Sequence, residues 1–495
     1  MKQLTLLSQA LLTLESCTKP SHIVGLHILS YTDSTSEAPT QPFQLLKQRV
    51  LEVLDQHPWL TKRVKTRLHA QAFDRGLEPT FAVDQHLKQL PGTYTRIELH
   101  TSVALLQQQS LSRDLPLWDI HCASSLQFKV AGKRCFALIT RFHVALIDPL
   151  EGESFTSKLF EFSTKPRPLF QIKCPIIVCD HIDKKTPLAT IKTEAKKLAR
   201  RIGMDPRILA QHYIDQTAAT ITSAPANASI FERKLSDGVT FGALSLSIEA
   251  IETAFNAKTM TEIEDAMLCI ICHGLQAYLR AIPNQQIPAA ALVALIPSHL
   301  PHPNLNEDLN QPRFYNRFYN LPLHTLDVHQ QLYAIHKQTN AYSSGHKPIP
   351  IGQPSVAPAI SALGRAIQHG VHASLARSSQ RHFNLIVNTA TGSQIPMFLG
   401  NTELQEQYWS SPIYDGMGLA INMTSYRNSL QVSFTSSVNI VPSPNSLSKA
   451  ICNAFFEFTN TRAATVKASN QSSSSDGCAD LSRPDLSRPD LKECE

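Results

Sequence analysis

Apolar positions along this chain switch between two registers, and each switch marks an element. Residues 4–15 place Leu4, Leu7, Leu11 and Leu14 three or four apart, the spacing of one helical face. Pro20 closes that element, and residues 22–29 (His-Ile-Val-Gly-Leu-His-Ile-Leu) predict a buried strand. Residues 43–55 return to helical spacing and stop before Pro58. Residues 96–113 are helical in their later part, with Leu105, Leu106 and Leu111 on the apolar side. After Asp114-Leu-Pro-Leu-Trp-Asp-Ile-His121, a strand over residues 135–142 delivers a histidine, His143, to its end. This alternation predicts an α/β domain over residues 1–165.

Residues 166–229 change character. Prolines at 166, 168 and 175 precede a helix carrying Ile191, Ala195, Leu198 and Ile202 as a narrow apolar stripe. Lys196, Lys197, Arg200 and Arg201 flank that stripe. The segment reads as an interdomain linker whose helix docks on one domain, or lies on an anionic membrane or lipid-droplet surface. A second domain spans residues 230–463. Strands are expected over residues 239–248, 383–387, 418–424 and 430–435, and a buried apolar run over residues 289–296 that ends at Pro297. Helices are expected over residues 249–257, 261–279, 326–339, 355–376 and 446–458. Residues 464–495 lose apolar content, and Leu-Ser-Arg-Pro-Asp occurs twice in tandem, so the tail is expected to be disordered.

Composition narrows the class. A chain of 495 residues exceeds one ordinary core, and 42% hydrophobic with 17% charged residues describes a globular protein. The ten cysteines follow no pairing pattern, which suits free thiols in a reducing cytosol. Gln3, Ser8 and Gln9 interrupt any leader-like apolar run, and no window holds 18 uninterrupted apolar residues, so a cytoplasmic location is expected. The net charge of +6 is confined to residues 184–207, with eight basic and two acidic residues. The remainder is neutral, which argues against a nucleic-acid partner.

Few motifs carry chemistry. Cys269-Ile-Ile-Cys272-His273 has haem-attachment spacing but sits within an apolar helical pattern, so its thiols read as core. His299-x-x-His302 lies in a proline-rich segment and reads as a solvated turn. No metal site and no phosphate-cradling glycine loop is expected. His143 and, five positions later, Asp148 could form a proton-transfer site, although 20 His and 40 Asp plus Glu make such a pair about a chance event.

The flanks of that pair decide more. Residues 4–15 with Pro20-Ser-His-Ile-Val-Gly25, Pro116-Leu-Trp118, residues 142–152, Thr261-Glu-Ile-Glu-Asp-Ala266, the strand ending at Gly392 and Asp415-Gly-Met-Gly-Leu419 occur in a collinear order. That set resembles the wax ester synthase/diacylglycerol acyltransferase family of the chloramphenicol-acetyltransferase-like superfamily. The resemblance implies two α/β domains, each a mixed sheet flanked by helices, joined by a long linker around a tunnel. It implies acyl-CoA as co-substrate without a further cofactor, and a long-chain alcohol or diacylglycerol as acceptor. Residues 142–152 resemble the signature His-His-x-x-x-Asp-Gly, whose second histidine would take the alcohol proton as oxygen attacks the thioester. Pro116, Leu117, Trp118, Glu264, Asp265, Gly392, Asp415 and Gly416 fall on the family's tunnel or structural motifs.

The chain departs from that pattern where it matters most. Aligned without gaps, His143 takes the first, structural position and Val144 the general-base position. Pro149 replaces the glycine after Asp148, Ser8 an N-terminal aspartate, and Glu264 and Thr389 two asparagines. Two readings stay open: an O-acyltransferase of reduced or retained activity that uses His143, and a non-catalytic homologue that binds acyl-CoA, lipid or a protein partner.

Overall fold

The computed structural model describes residues 12, 15, 20–31, 41–66, 71–73, 81–143, 159–162, 229–257, 259–283, 291–299, 314–325, 327–344 and 383–472. The first half contributes β1 (His22–Tyr31), α1 (Pro42–Gln56), β2 (Val64–Thr66), β3 (Gln71–Phe73), β4 (Leu87–Leu90), α2 (Arg96–Gln108), β5 (Trp118–Ala123), β6 (Lys129–Val130) and β7 (Lys133–His143). The second half contributes β8 (Val239–Ser247), α3 (Ile248–Phe255), α4 (Met260–Ala281), β9 (Leu292–His299), β10 (Phe314–Leu321) and α5 (Val328–Ser344). It closes with β11 (Leu385–Thr391), β12 (Phe398–Leu399), β13 (Thr402–Ser410), β14 (Leu419–Tyr426), β15 (Ser429–Ser437) and α6 (Pro444–Ser472).

Two mixed sheets flanked by helices result, as the sequence predicts. One runs β12-β13-β1-β7-β5-β4, with β6 on β7; the other runs β10-β9-β11-β14-β15-β8. Strands β12 and β13 belong to the second half of the chain, yet they complete the first sheet beside β1. Past its short pairing with β12 at Thr402 and Glu403, the far edge of β13 is met by side chains of the second sheet. Gln431 Oε1 accepts from the Gln407 amide at 2.8 Å, and Ser433 Oγ accepts from the Trp409 amide at 3.2 Å. The Trp409 carbonyl accepts from Ser433 Oγ at 2.7 Å and from Asn422 Nδ2 at 2.9 Å. These contacts pair backbone groups that would otherwise be buried without partners.

Some bounds move for local reasons. Helix α2 begins at Arg96, earlier than its apolar stripe suggests, because Thr95 and Glu98 form a capping box. It ends at Gln108, leaving Leu111 outside it. The apolar run ending at Pro297 becomes β9, which pairs with β10 through Pro297 to His299. Helix α6 runs on to Ser472, past residue 464 where the sequence predicts disorder. Two apolar clusters lie against the first sheet and one fills the second domain between its sheet and α3, α4 and α6. One of the first-sheet clusters is shared, since Phe241 of β8 packs with Val24, Leu26, Leu99 and Val103.

The expected N-terminal helix apart from Leu12 and Glu15, the basic linker helix with Lys196, Lys197, Arg200 and Arg201, the helix over residues 355–376 and His302 lie outside the described residues, as do Val144 and Asp148. Among the described residues no helix is long and apolar enough to cross a membrane.

Candidate active site

Strand β7 ends at His143, and three neighbours fix that end. His143 stands opposite His22 in the antiparallel β1–β7 ladder. Its amide donates to the Leu117 carbonyl at 3.0 Å, so the Pro116-Leu-Trp118 element clamps the terminus of the strand. Leu117 and Trp118 are themselves buried, with Trp118 Nε1 donating to the Leu60 carbonyl at 2.8 Å and its ring stacked on His86 at 4.4 Å. The role of this element is therefore to hold the end of β7.

The His143 side chain has 0% exposure. Its Nε2 lies 3.4 Å from Glu15 Oε2. Glu15 also accepts from the Ser21 amide at 3.2 Å and pairs with Arg113. Burial acts to raise the Glu15 pKa, but His143, Arg113 and the Ser21 amide outweigh it and bring it down to about 2. The carboxylate is thus a fixed anion beside the histidine.

Two residues back on the same face, Arg141 bonds Asp119 through Nε at 2.7 Å and caps the end of α2 by donating to the Leu106 and Gln109 carbonyls at 3.2 and 2.9 Å. A cation at a helix C-terminus complements its dipole. Burial opposes ionisation of Asp119, yet Arg141 and His121 hold its carboxyl below the usual carboxylate range. His22 Nε2 meets the Leu106 carbonyl at 2.9 Å, and burial together with the Arg141 charge lowers its pKa to about 4, so it is neutral at physiological pH. The second half reaches this cluster through Tyr414, whose hydroxyl lies 3.3 Å from Ser21 Oγ.

The remaining motif residues lie in three further places. Glu264 pairs with Arg317 at 2.9 Å and bonds Thr389, while burial raises its carboxyl pKa. Two of the positions at which the chain departs from the family pattern are therefore in contact. Asp265 accepts from Thr339 at 2.6 Å and lies 2.9 Å from His336 Nδ1. Gly392 is obligatory, because an added Cβ would come within 2.0 Å of the Ser425 carbonyl oxygen. Asp415 Oδ1 accepts from the Leu235 amide at 3.0 Å, and Gly416, at φ +88°, turns the chain there. The structure does not gather Asp415 and Gly416 with His143; they fasten the start of the second domain. Cys269 and Cys272 are buried in α4, in keeping with core thiols.

Sequence reading passed over Glu15, Arg113, His22 and Tyr414 as site residues. Glu15 ends the N-terminal motif and was the most legible of them. Arg113 and Tyr414 reach the site only through tertiary contact and carried no local signal.

A two-sheet α/β fold with a strand exchanged between the halves and a histidine at the end of β7 is the architecture of the chloramphenicol-acetyltransferase-like class. The wax ester synthase/diacylglycerol acyltransferase catalytic domain matches residues 4–266, and the WS/DGAT C-terminal domain matches residues 313–458. The chain belongs to the WS/DGAT family. It is 22% identical to O-acyltransferase WSD of Acinetobacter baylyi over 445 residues, 87% of this chain and 91% of that one. It is 23% identical over 452 residues to the probable diacylglycerol O-acyltransferase tgs2 of Mycobacterium tuberculosis, covering 87% and 93%. The solved wax ester synthase/diacylglycerol acyltransferase of Marinobacter aquaeolei superposes with a TM-score of 0.63 at 19% identity, covering 94% of this chain and 100% of that one. A trichothecene 15-O-acetyltransferase of Fusarium sporotrichioides shares the fold at a TM-score of 0.53 and 10% identity.

Proposed function

We propose that this chain binds acyl-CoA and a long-chain alcohol or diacylglycerol at the family site and transfers the acyl group slowly, because it lacks the general base. In the transfer, the alcohol oxygen attacks the thioester carbonyl, the carbon–sulfur bond breaks, and the alcohol proton ends on the departing sulfur, giving an ester and free CoA thiol. A base at the reacting oxygen typically contributes about 10²- to 10⁴-fold. Val144 has no proton acceptor. The observation that carries this reading is the setting of His143, which is wholly buried with Nε2 against Glu15. That setting suits a residue that anchors the strand end. No cofactor enters the reaction. Substrate alignment alone supplies the remaining rate.

Thiol release from long-chain acyl-CoA, with hexadecanol or diacylglycerol as acceptor, tests the proposal. Val144→His is expected to raise the wild-type rate by about 10²- to 10⁴-fold. Wild-type turnover already at ordinary enzyme rates would overturn it. Acyl-CoA binding without any turnover in the wild type, and with turnover in Val144→His, marks the chain as a binding protein built on the same site.

A further inference from the structure

A cavity opens far from β7 in the chain, between the last turns of α4 and the first turns of α6. It has a volume of about 740 Å³ and shares no residue with the cluster around His143. That volume is within the roughly 300–1,000 Å³ typical of small-molecule sites. Where the helices touch, an added Cβ on Gly274 would come within 2.8 Å of Ile451 Cα. Beyond that crossing the walls are Ala277, Ala281, Ile282, Pro442, Ala450 and Ala454, small or apolar residues that leave the space empty.

The charges on the walls are polarised along the groove. At one end His273 packs edge-on against Phe458, with ring centroids 4.7 Å apart, and Glu457 also lines the cavity. Arg280 lies seven residues further along α4, about 10 Å of helix, and faces the cavity with Lys449. Both cations are exposed. The first turn of α6 opens at the same end, with Ser443 and Ser446 on the wall, and the helix dipole adds a partial positive charge there. One end is therefore cationic and the middle apolar.

We infer that this groove binds a single-chain amphiphile, its anionic head between Arg280 and Lys449 and its tail along the alanine walls. The head is a carboxylate or a phosphate, which share the needed charge. Calorimetric titration of the full chain with decanoate, decyl phosphate and decanol tests this. At least one anionic probe is expected to bind, with the tighter of the two identifying the head, and decanol about tenfold or more weaker. Arg280→Glu with Lys449→Glu is expected to weaken that binding at least tenfold, and Ala450→Phe, which fills the groove, to abolish it. Acyl-CoA binding stays unchanged in each variant, which separates this site from the catalytic one. The inference is overturned if neither anionic probe binds, if decanol binds equally well, or if binding persists in all the variants.

Discussion

Glu15 shows how one side chain can define a site without doing its chemistry. Its carboxylate is held by a cation, an amide and a histidine, and its pKa of about 2 lies below the ordinary 4.5. A depressed carboxyl stabilises the fold above its unfolded-state pKa and loses that contribution as pH falls through the folded value. Glu15→Gln is expected to cost about 1–3 kcal/mol at neutral pH. The gap from wild type should narrow below pH 4.5 and close near pH 2, as read by chemical denaturation at a series of pH values. A gap that stays constant with pH would show that the charge is not what matters. The Glu264–Thr389 contact poses a related question, since each residue alone breaks the family pattern and together they bond. A double-mutant cycle with Glu264→Asn and Thr389→Asn is expected to give a coupling energy of about 0.5–3 kcal/mol. Additive effects would make the two substitutions independent events.

At the level of elements, β13 explains most of what the sequence concealed. Its residues Glu403, Gln405 and Gln407 are polar, and no strand is expected there. Yet Glu406 is buried because Arg96 grips it with both Nη atoms at 2.6 and 2.7 Å, and Gln407 is buried against Gln431. Tertiary partners override local polarity, so the strand is invisible until its partners are known. Helices and strands with apolar faces, such as β1, β7 and α4, were legible because the residues that bury them lie within the element. The Ser433 and Gln431 positions on β15 carry the contact with β13. Replacing Ser433 by Ala removes the partner of the Trp409 amide and is expected to cost about 1–3 kcal/mol in thermal or urea unfolding. Ser429→Ala, at the start of the same strand, removes the hydrogen bond its hydroxyl donates to the Tyr426 carbonyl at the hairpin and should cost less. Equal costs at the two positions would show that the seam to β13 is not stabilising.

For the molecule as a whole, the exchanged strand decides whether the two halves are independent. The sequence divides the chain at residues 165 and 230, which implies that residues 1–165 fold alone. The first sheet does not end at that boundary, because β1 pairs on one side with β7 and on the other with β13. Removing the second half strips β1 of a neighbour along eight paired positions and exposes Val24 and Leu26, which pack against Phe241 and Tyr408. An unpaired central strand with an apolar face is an aggregation template. The isolated 1–165 fragment is therefore expected to stay unfolded or associate, as seen by far-UV circular dichroism and light scattering. In the full chain, Trp118 and Trp409 report the first sheet and far-UV dichroism reports both. The two signals should trace a single superimposable transition in denaturant. Two separated transitions, with the fluorescence change first or last, would mean that the β13 seam is too weak to couple the halves and that the boundary read from the sequence is also a thermodynamic one.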